Sequence, residues 1–196
     1  VTQSGCLVMA HPAEKEWIER IEVQNSERPV PGFFDLVDSS VPIDDFLGDG
    51  QVLRLEEDLS LTCYHTPGHS KGSVSLLAHE EGVLFTADCI PIERDLPNYD
   101  DFGDLLRSLE RLKSIQGVTM TLSSWSKPLE GDLTPLIAPG ERYLAEIDKA
   151  VRKHYTGKND MDSCKGVVVE LGLPEIFAMP MVHKAFLSHL NQPDCS

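Results

Sequence analysis

Two polar turns, each directly after an apolar strand, hold the residues of this chain that are best suited to chemistry. The first turn carries His65 and His69 around a Thr-Pro-Gly sequence, and the second carries Asp88 after the apolar run at 84–87. The Pro-Gly pair favours a tight turn that can direct His69 off the strand end. A neutral imidazole and a carboxylate can bind one divalent metal ion together. The spacing therefore predicts a metal site with His69 and Asp88 as ligands.

These residues also have simpler interpretations that involve no metal. An isolated histidine in a turn is most often a surface or capping residue, and an aspartate after a strand is most often a turn residue. The combination of the two turns favours ligand roles for His69 and Asp88, whereas His65 suits a structural contact or a place in the substrate pocket. Tyr99 and Trp125 are the other predicted pocket residues, with a solvated loop and core packing as their respective alternatives.

The hydrophobic pattern of the chain predicts a mixed fold of the α+β class. Apolar alternation predicts a short strand at 5–10 and then a four-stranded antiparallel block at 52–55, 59–64, 73–78 and 83–86. A later strand is predicted at 118–122, and helices are predicted at 13–22, 102–115, 141–155, 162–171 and 176–190. We expect residues 1–135 to form the core of one domain and residues 136–196 to form a helical tail packed on it.

Composition and charge restrict the classes of partner. The chain has 196 residues, 41% of them hydrophobic, which is enough for one domain with a sizeable core. Its formal net charge is −15, and a surface that negative repels nucleic acid and anionic membranes. No apolar run approaches the roughly 20 residues that span a bilayer. We therefore expect neither a nucleic-acid nor a membrane partner.

The five cysteines of the chain are scattered and include no C-x-x-C pair. This pattern argues against a disulfide framework and against a zinc finger. Reduced, mostly buried thiols in a cytoplasmic protein are the expected state. Cys63 and Cys89 flank the candidate metal turn and are alternative soft ligands, although buried strand cysteines are commoner.

The two turns resemble the paired motifs of a known superfamily. HTPGHSKGS at 65–73, followed by LFTAD at 84–88, is similar to the metallo-β-lactamase superfamily, which includes glyoxalase II. The resemblance implies that His69 is a metal ligand and that Asp88 bridges two metals at one edge of an αββα sandwich. RPVPGF at 28–33, DLPNYDD at 95–101 and the helical tail also resemble superfamily members with no settled substrate.

Two parts of the superfamily's pattern are absent from the sequence. Its His-x-His-x-Asp-His motif is expected before the strand at 5–10, and no His-x-His occurs in the chain. Its last ligand is expected near 124–126, where Ser-Trp-Ser offers no good ligand. A catalytic zinc normally has three protein ligands and a water, so two are too few. Either a segment before Val1 or a partner subunit completes the site and covers the open sheet, or the site is degenerate.

These observations predict a metal-dependent hydrolase with a metallo-β-lactamase-like fold. A metal-bound hydroxide would attack an ester, thioester, amide or phosphodiester, with Asp88 as the catalytic carboxylate that bridges metals or orients the nucleophile. Zinc is the expected metal, and iron and manganese suit the same ligands. The expected partners are a small-molecule substrate and either a second copy of the chain or a missing amino-terminal segment. The alternative is a non-catalytic metallo-β-lactamase-like binding or assembly protein with a degenerate metal site.

Overall fold

The computed structural model describes residues 5–192, in which the strands form one large and one small sheet. The strands are β1 (Met9–Ala10), β2 (Asp45–Phe46), β3 (Val52–Glu56), β4 (Leu59–His65), β5 (Val74–Ala78), β6 (Val83–Ala87), β7 (Met120–Ser123) and β8 (Leu129–Glu130). Strands β1 and β2 pair in parallel, and β3 to β8 form one sheet in numerical order. Neighbours in that sheet are antiparallel except β6 and β7. The predicted antiparallel block is confirmed as β3 to β6.

The helices lie mainly in the second half of the chain. They are α1 (Lys15–Glu19), α2 (Ile21–Glu27), α3 (Phe33–Leu36), α4 (Phe102–Ser114), α5 (Thr134–His154), α6 (Met161–Glu170) and α7 (Pro180–His189). None of the helices between residues 5 and 192 is long and apolar enough to cross a membrane. The combination of helices and sheets confirms the predicted mixed fold class.

Helix α5 begins at Thr134, whereas the sequence predicted a loop that continued to residue 140. Pro135 lies in the first turn of the helix, where its missing N–H removes no intrahelical hydrogen bond. A Cβ at Gly140 would lie 2.6 Å from the Pro91 carbonyl oxygen, so glycine permits close contact between α5 and the loop after β6. Pro135 and Gly140 are therefore compatible with the helix, and Gly140 allows its close packing.

The first fifty residues also differ from the prediction. The strand predicted at 5–10 is reduced to β1, which pairs with β2. The segment at 24–50, for which the sequence predicted no helix or strand, contains the end of α2, all of α3 and β2. Local hydrophobic spacing gave no signal for elements of two to four residues, which here depend on tertiary contacts.

Helices cover one face of the large sheet. Leu77 of β5 and Leu84 of β6 are fully buried in a cluster with α4, α5 and one residue of α7. A second buried cluster joins α5, α6 and α7. Helices α5 and α7 thus contribute to both clusters, and the division of the chain at residue 135 stays a prediction.

The opposite face of the large sheet is apolar and only partly covered by residues 5–192. Leu76, Phe85 and Leu122 lie beside one another across β5, β6 and β7, and Phe85 is 41% exposed. Leu53 and Leu61, which pair across β3 and β4, are also partly exposed. Extended apolar surfaces of this kind are typical of contact with another protein layer.

Candidate metal centre

Strands β4 and β6 bring the two predicted ligands to one edge of the large sheet. Both strands run antiparallel to β5, which lies between them, so their carboxyl ends meet at the same edge. His69 follows β4 and Asp88 follows β6, and His69 Nε2 lies 3.5 Å from Asp88 Oδ2. The structure therefore brings together the two residues that the sequence selected as ligands.

The turn that carries His69 is held against helix α4. Gly68 has a φ of +131°, and a Cβ at this position would lie 2.5 Å from the Leu105 Cα. The Gly68 carbonyl oxygen accepts hydrogen bonds from the backbone amides of Asp100 and Asp101. Ser108 of α4 donates a hydrogen bond to the Pro67 carbonyl oxygen at 2.6 Å. Close packing and hydrogen bonds therefore fix the backbone directly before His69.

The hydrogen bonding of His69 leaves its Nε2 available to a metal. His69 Nδ1 lies 2.8 Å from the Asn98 carbonyl oxygen. A carbonyl can only accept, so Nδ1–H donates to it and the neutral ring has a lone pair at Nε2. Burial lowers the pKa of His69, and the positive charge of Arg28 lowers it further, which outweighs the opposing effect of Asp88. The imidazole is therefore neutral near pH 7, as a metal ligand must be.

Asp88 has one carboxylate oxygen without a protein partner. Its Oδ1 is buried and accepts no hydrogen bond from any residue that the structure describes. The preceding residue, Ala87, has a φ of +46°, a left-handed conformation that costs a non-glycine residue about 1 kcal/mol or more. Ser124 donates its backbone amide to the Ala87 carbonyl oxygen and so supports this conformation. A strained backbone and an unpaired buried oxygen are typical of a functional position.

His69 and Asp88 together fit a divalent cation. The Nε2 lone pair and the carboxylate oxygen repel each other at 3.5 Å when no proton lies between them. A cation bound by both atoms would replace that repulsion with attraction. If the carboxylate bound it through both oxygens, the cation would also be a partner for the unpaired Oδ1. The donor set, one imidazole nitrogen and one carboxylate, suits zinc, iron and manganese.

Residues 5–192 supply no third ligand. Within this range, no group of three or more His, Cys, Asp or Glu residues is arranged to hold a metal. Cys89, the neighbour of Asp88, is buried, and burial raises the pKa of its thiol to about 12, so the thiol is protonated near pH 7 in the absence of a metal. A two-ligand site is incomplete by the standard of catalytic zinc proteins.

A buried arginine supports the His69 side of the site. The Arg28 guanidinium, only 8% exposed, donates a hydrogen bond to the Asn98 side-chain oxygen. Asn98 in turn holds His69 through its backbone carbonyl. Lys184 of α7 forms an ion pair with Asp100 at 3.0 Å in the same loop. Sequence reasoning gave Arg28 and Asn98 no role, although both lie in the RPVPGF and DLPNYDD segments that carried the resemblance.

A cavity of about 320 Å³ opens beside the candidate ligands. His69 and Asp88 form part of its wall, together with the predicted pocket residues Tyr99 and Trp125. Trp125 is 74% exposed and follows β7. The rest of the wall comes from the loop at 90–98 and from helices α4 and α5.

His65, also predicted to line the pocket, lies elsewhere. Its ring stacks on His11 with centroids 3.9 Å apart, and its Nε2 donates to the Lys71 carbonyl oxygen at 2.9 Å. His65 is the last residue of β4, so its side chain lies on the strand itself. His69 comes four residues later, beyond the turn. His65 is not part of the wall of this cavity, its described contacts are structural, and its place in a substrate pocket stays a prediction.

A chain of hydrogen bonds anchors the Tyr99 wall of the cavity. The Tyr99 hydroxyl lies 2.7 Å from His189 Nε2, and His189 Nδ1 lies 3.0 Å from Asp148 Oδ1. Burial lowers the pKa of His189 despite the raising effect of Asp148. Burial would raise the pKa of Asp148, but hydrogen bonds from His189 and Arg152 outweigh it, and this pKa is lowered. The neutral His189 ring thus links the loop, α5 and α7; sequence spacing gave no signal for this contact.

Comparison with known proteins relates this geometry to a family. The sequence family model of the metallo-beta-lactamase superfamily matches residues 3–120 of the chain. A metallo-beta-lactamase family protein from Thermus thermophilus is 21% identical, with a TM-score of 0.69 over 95% of this chain and 65% of that protein. A beta-lactamase domain protein from Burkholderia ambifaria is 21% identical, with a TM-score of 0.63 over 94% of this chain and 58% of that protein.

A third solved structure, the B3 metallo-beta-lactamase BLEG-1, is 25% identical to this chain. Its TM-score is 0.54 over 69% of this chain and 66% of that protein. In all three comparisons the chain spans less than two thirds of the other protein's length. The likeness to the Thermus and Burkholderia proteins, at 21% identity, concerns the fold.

Proposed function

The chain belongs to the metallo-beta-lactamase superfamily, and from this premise we propose that it is part of a metal-dependent hydrolase. Membership supports a metallohydrolase-type function in general. The proposal rests mainly on one observation, the position of a neutral imidazole nitrogen 3.5 Å from a carboxylate whose other oxygen is buried and unpaired.

The two candidate ligands have separate roles in this proposal. His69, fixed as the Nδ1–H tautomer by Asn98, offers Nε2 to the metal. Asp88 contributes Oδ2 on the same side, and its buried Oδ1 has no partner among the described residues. A bound divalent metal lowers the pKa of a water towards neutrality and polarises the substrate oxygen. Zinc is the favoured metal, with iron and manganese as alternatives.

The remaining ligands come, in this proposal, from outside residues 5–192. A preceding segment of the protein or a second copy of the chain would supply them and would also cover the open sheet face around Phe85. The partial exposure of this face and the two-ligand set support the same conclusion independently. The buried free thiols of Cys63, Cys89 and Cys164 support a reducing, cytoplasmic location.

A non-catalytic role is the second candidate. The observation that favours it is the lack of any third potential ligand among the described residues. In that case the fold would serve binding or assembly, and His69 and Asp88 would be remnants of a metal site.

Hydrolysis assays on the full-length protein distinguish the two candidates. We expect metal-loaded protein to hydrolyse at least one of a carboxylic ester, a thioester, an anilide and a phosphodiester, with loss of activity after chelation. Asp88→Asn should lower the rate by about 100-fold or more, because the carboxylate is lost from the metal site. Asp58→Asn, in the exposed turn before β4, is the matched control and should have no effect. Metal-loaded protein that is inactive on all four substrate classes would contradict the hydrolase proposal.

A further inference from the structure

The wall of the cavity beside the metal centre is mainly apolar. Ile90, Ile92 and Leu96 come from the loop after β6, and Leu144 and Ile147 come from α5. Leu144 and Ile147 are fully buried and lie behind the cavity, so the apolar surface that a ligand can reach comes mainly from the partly exposed Ile92 and Leu96. An apolar wall favours an apolar ligand group, since each buried methylene contributes about 0.8 kcal/mol through the hydrophobic effect, or roughly a fourfold change in affinity.

Most polar side chains in the wall already have protein partners. The Tyr99 hydroxyl bonds to His189, and the Tyr143 hydroxyl donates to the Asp95 carbonyl oxygen at 2.8 Å. The Asn98 side chain accepts from Arg28. Polar groups available to a ligand are therefore concentrated at the end of the cavity where His69 and Asp88 lie.

Away from the His69–Asp88 end, the charges of the wall disfavour an anionic ligand group. The charged side chains among the described lining residues are Asp88 and Asp95, and none of these residues is a lysine or an arginine. Arg28, the buried cation close to His69, is not part of the wall and bonds to Asn98. In the part of the cavity away from His69 and Asp88, an anionic group would therefore meet the Asp95 carboxylate and aliphatic carbon in place of a counter-ion.

The volume of the cavity limits the size of this group. A water molecule occupies about 30 Å³ of liquid, so 320 Å³ corresponds to about ten groups of that size. An aliphatic chain of about eight carbons with its carbonyl group fits this volume.

We propose that this cavity binds the uncharged, apolar acyl group of the substrate, with the acyl carbonyl at the His69–Asp88 end. The proposal rests on the proposed hydrolase function and narrows it to esters, thioesters or amides of medium-chain carboxylic acids.

Binding of uncharged amides to the purified protein tests the proposal without the need for turnover. We expect octanamide to bind in isothermal titration calorimetry and acetamide to bind at least about 100-fold more weakly, because it lacks six methylenes that the wall can bury. Equal binding of octanamide and acetamide would overturn the proposal.

Two substitutions at Ile92, which is partly exposed, locate the binding site. Ile92→Asp places a third carboxylate in the wall, and Ile92→Trp fills part of the volume. Both should weaken octanamide binding at least tenfold. Ile176→Asp, at a position that is 77% exposed on the helical tail, is the matched control and should retain wild-type binding. Unchanged binding in both Ile92 variants, with folding verified by circular dichroism, would place the ligand elsewhere and overturn the proposal.

The outcomes separate this inference from the proposed function. If octanamide binding depends on Ile92 but the protein hydrolyses no substrate, the acyl-binding proposal is supported and the hydrolase proposal is contradicted. If the protein hydrolyses a phosphodiester in preference to octanoyl esters, with metal dependence and without octanamide binding, the hydrolase proposal is supported and the acyl-binding proposal is contradicted.

Discussion

At the scale of single residues, the state of His69 is set by its neighbours more than by its own chemistry. The Asn98 carbonyl fixes the proton at Nδ1, burial disfavours the charged ring, and Arg28 disfavours it further. Asp88 alone would have the opposite effect and would favour an imidazolium–carboxylate pair. The surroundings thus keep a ligand nitrogen unprotonated in front of a carboxylate, an arrangement that a cation stabilises.

The first prediction concerns the pKa of His69 in the metal-free protein. Arg28→Met should raise this pKa, because the substitution removes a positive charge that opposes protonation of the ring. NMR titration of the His69 ring measures the change, and nitrogen shifts should report the Nδ1–H tautomer in the wild type. Arg20→Met, which removes an exposed arginine paired with Glu16, should leave the titration unchanged. A lower pKa in Arg28→Met, or an Nε2–H tautomer in the wild type, would contradict this account.

His69 and Asp88 could be selected from the sequence because each lies in a short turn with its own signal. Arg28 and Asn98 could not, because they are 70 positions apart and meet only after the end of α2 packs near the loop at 90–98. The spacing of His65 and His69 in the sequence does not reveal that a turn separates the two side chains, so it could not show which of them lines this cavity.

At the scale of elements, the site depends on how closely the turn after β4 approaches helix α4. The Gly68 Cα occupies a place where the Leu105 backbone leaves no room for a side chain. The same glycine accepts hydrogen bonds from the loop that carries Asn98. One backbone position therefore connects the sheet, the helix and the loop that support His69.

The second prediction is that Gly68→Ala costs about 3 kcal/mol or more of the free energy of unfolding. The new methyl group would both clash with α4 and force a residue with a side chain into a φ of +131°. Gly131→Ala is the matched control, since Gly131 has a φ of +81° but a Cβ added there would meet no atom within 4 Å; it should cost about 1 kcal/mol. Urea unfolding measures both, and equal costs would show that the contact with α4 is unimportant.

The third prediction concerns the hydrogen-bonded chain that joins the loop, α5 and α7. Since the pKa of His189 is lowered in the fold, the unfolded chain binds a proton below about pH 6.5 that the folded chain does not. Stability should therefore fall as the pH drops from 7 towards 5, by at most about 1.4 kcal/mol per pH unit for this group. His189→Gln should flatten this slope.

The control for that experiment is Val182→Ala, which removes buried carbon from the same helix. It should lower stability at every pH and keep the wild-type slope, because it alters no titratable group. Urea midpoints measured between pH 7.5 and 5.0 provide the comparison. A slope in His189→Gln as steep as that of Val182→Ala would contradict the role assigned to His189.

Long elements were predictable from the sequence, whereas short ones were not. The alternation in β3 to β6 and the apolar stripe of α4 identify these elements. Leu77 of β5 and Leu84 of β6 are buried in one cluster with the apolar face of α4. The start of α5 was missed because proline and glycine are typical of loops. The contact that requires Gly140, with the Pro91 carbonyl oxygen, cannot be recognised from the sequence. Strands β1, β2 and β8 have two residues each, too few for a periodic signal.

At the scale of the whole molecule, the described residues form a sheet covered by helices on one face and open on the other. The open face contains apolar side chains at directly paired positions of neighbouring strands. The candidate metal site at the edge of the same sheet has two ligands within residues 5–192. Both features are explained if the same additional protein layer covers the face and completes the site.

The fourth prediction is that the chain of 196 residues self-associates through this face. Phe85→Ser should weaken association by about tenfold or more, since burial of a phenylalanine side chain contributes roughly 1.5–3 kcal/mol. Ile176→Ser, on the helical tail, should leave it unchanged. Sedimentation velocity over a range of concentrations measures the association. A wild-type chain that remains monomeric at high concentration would contradict this prediction.

The metal content of the full-length protein tests the central claim most directly. Elemental analysis after purification should find at least one equivalent of zinc, iron or manganese, because His69 Nε2 and the Asp88 carboxylate are arranged for a cation. Asp88→Ala and His69→Ala should each lose most of this metal, and Asp58→Ala should retain it. A wild-type protein with less than one equivalent, or an Asp88→Ala variant with unchanged metal content, would contradict the assignment of this site.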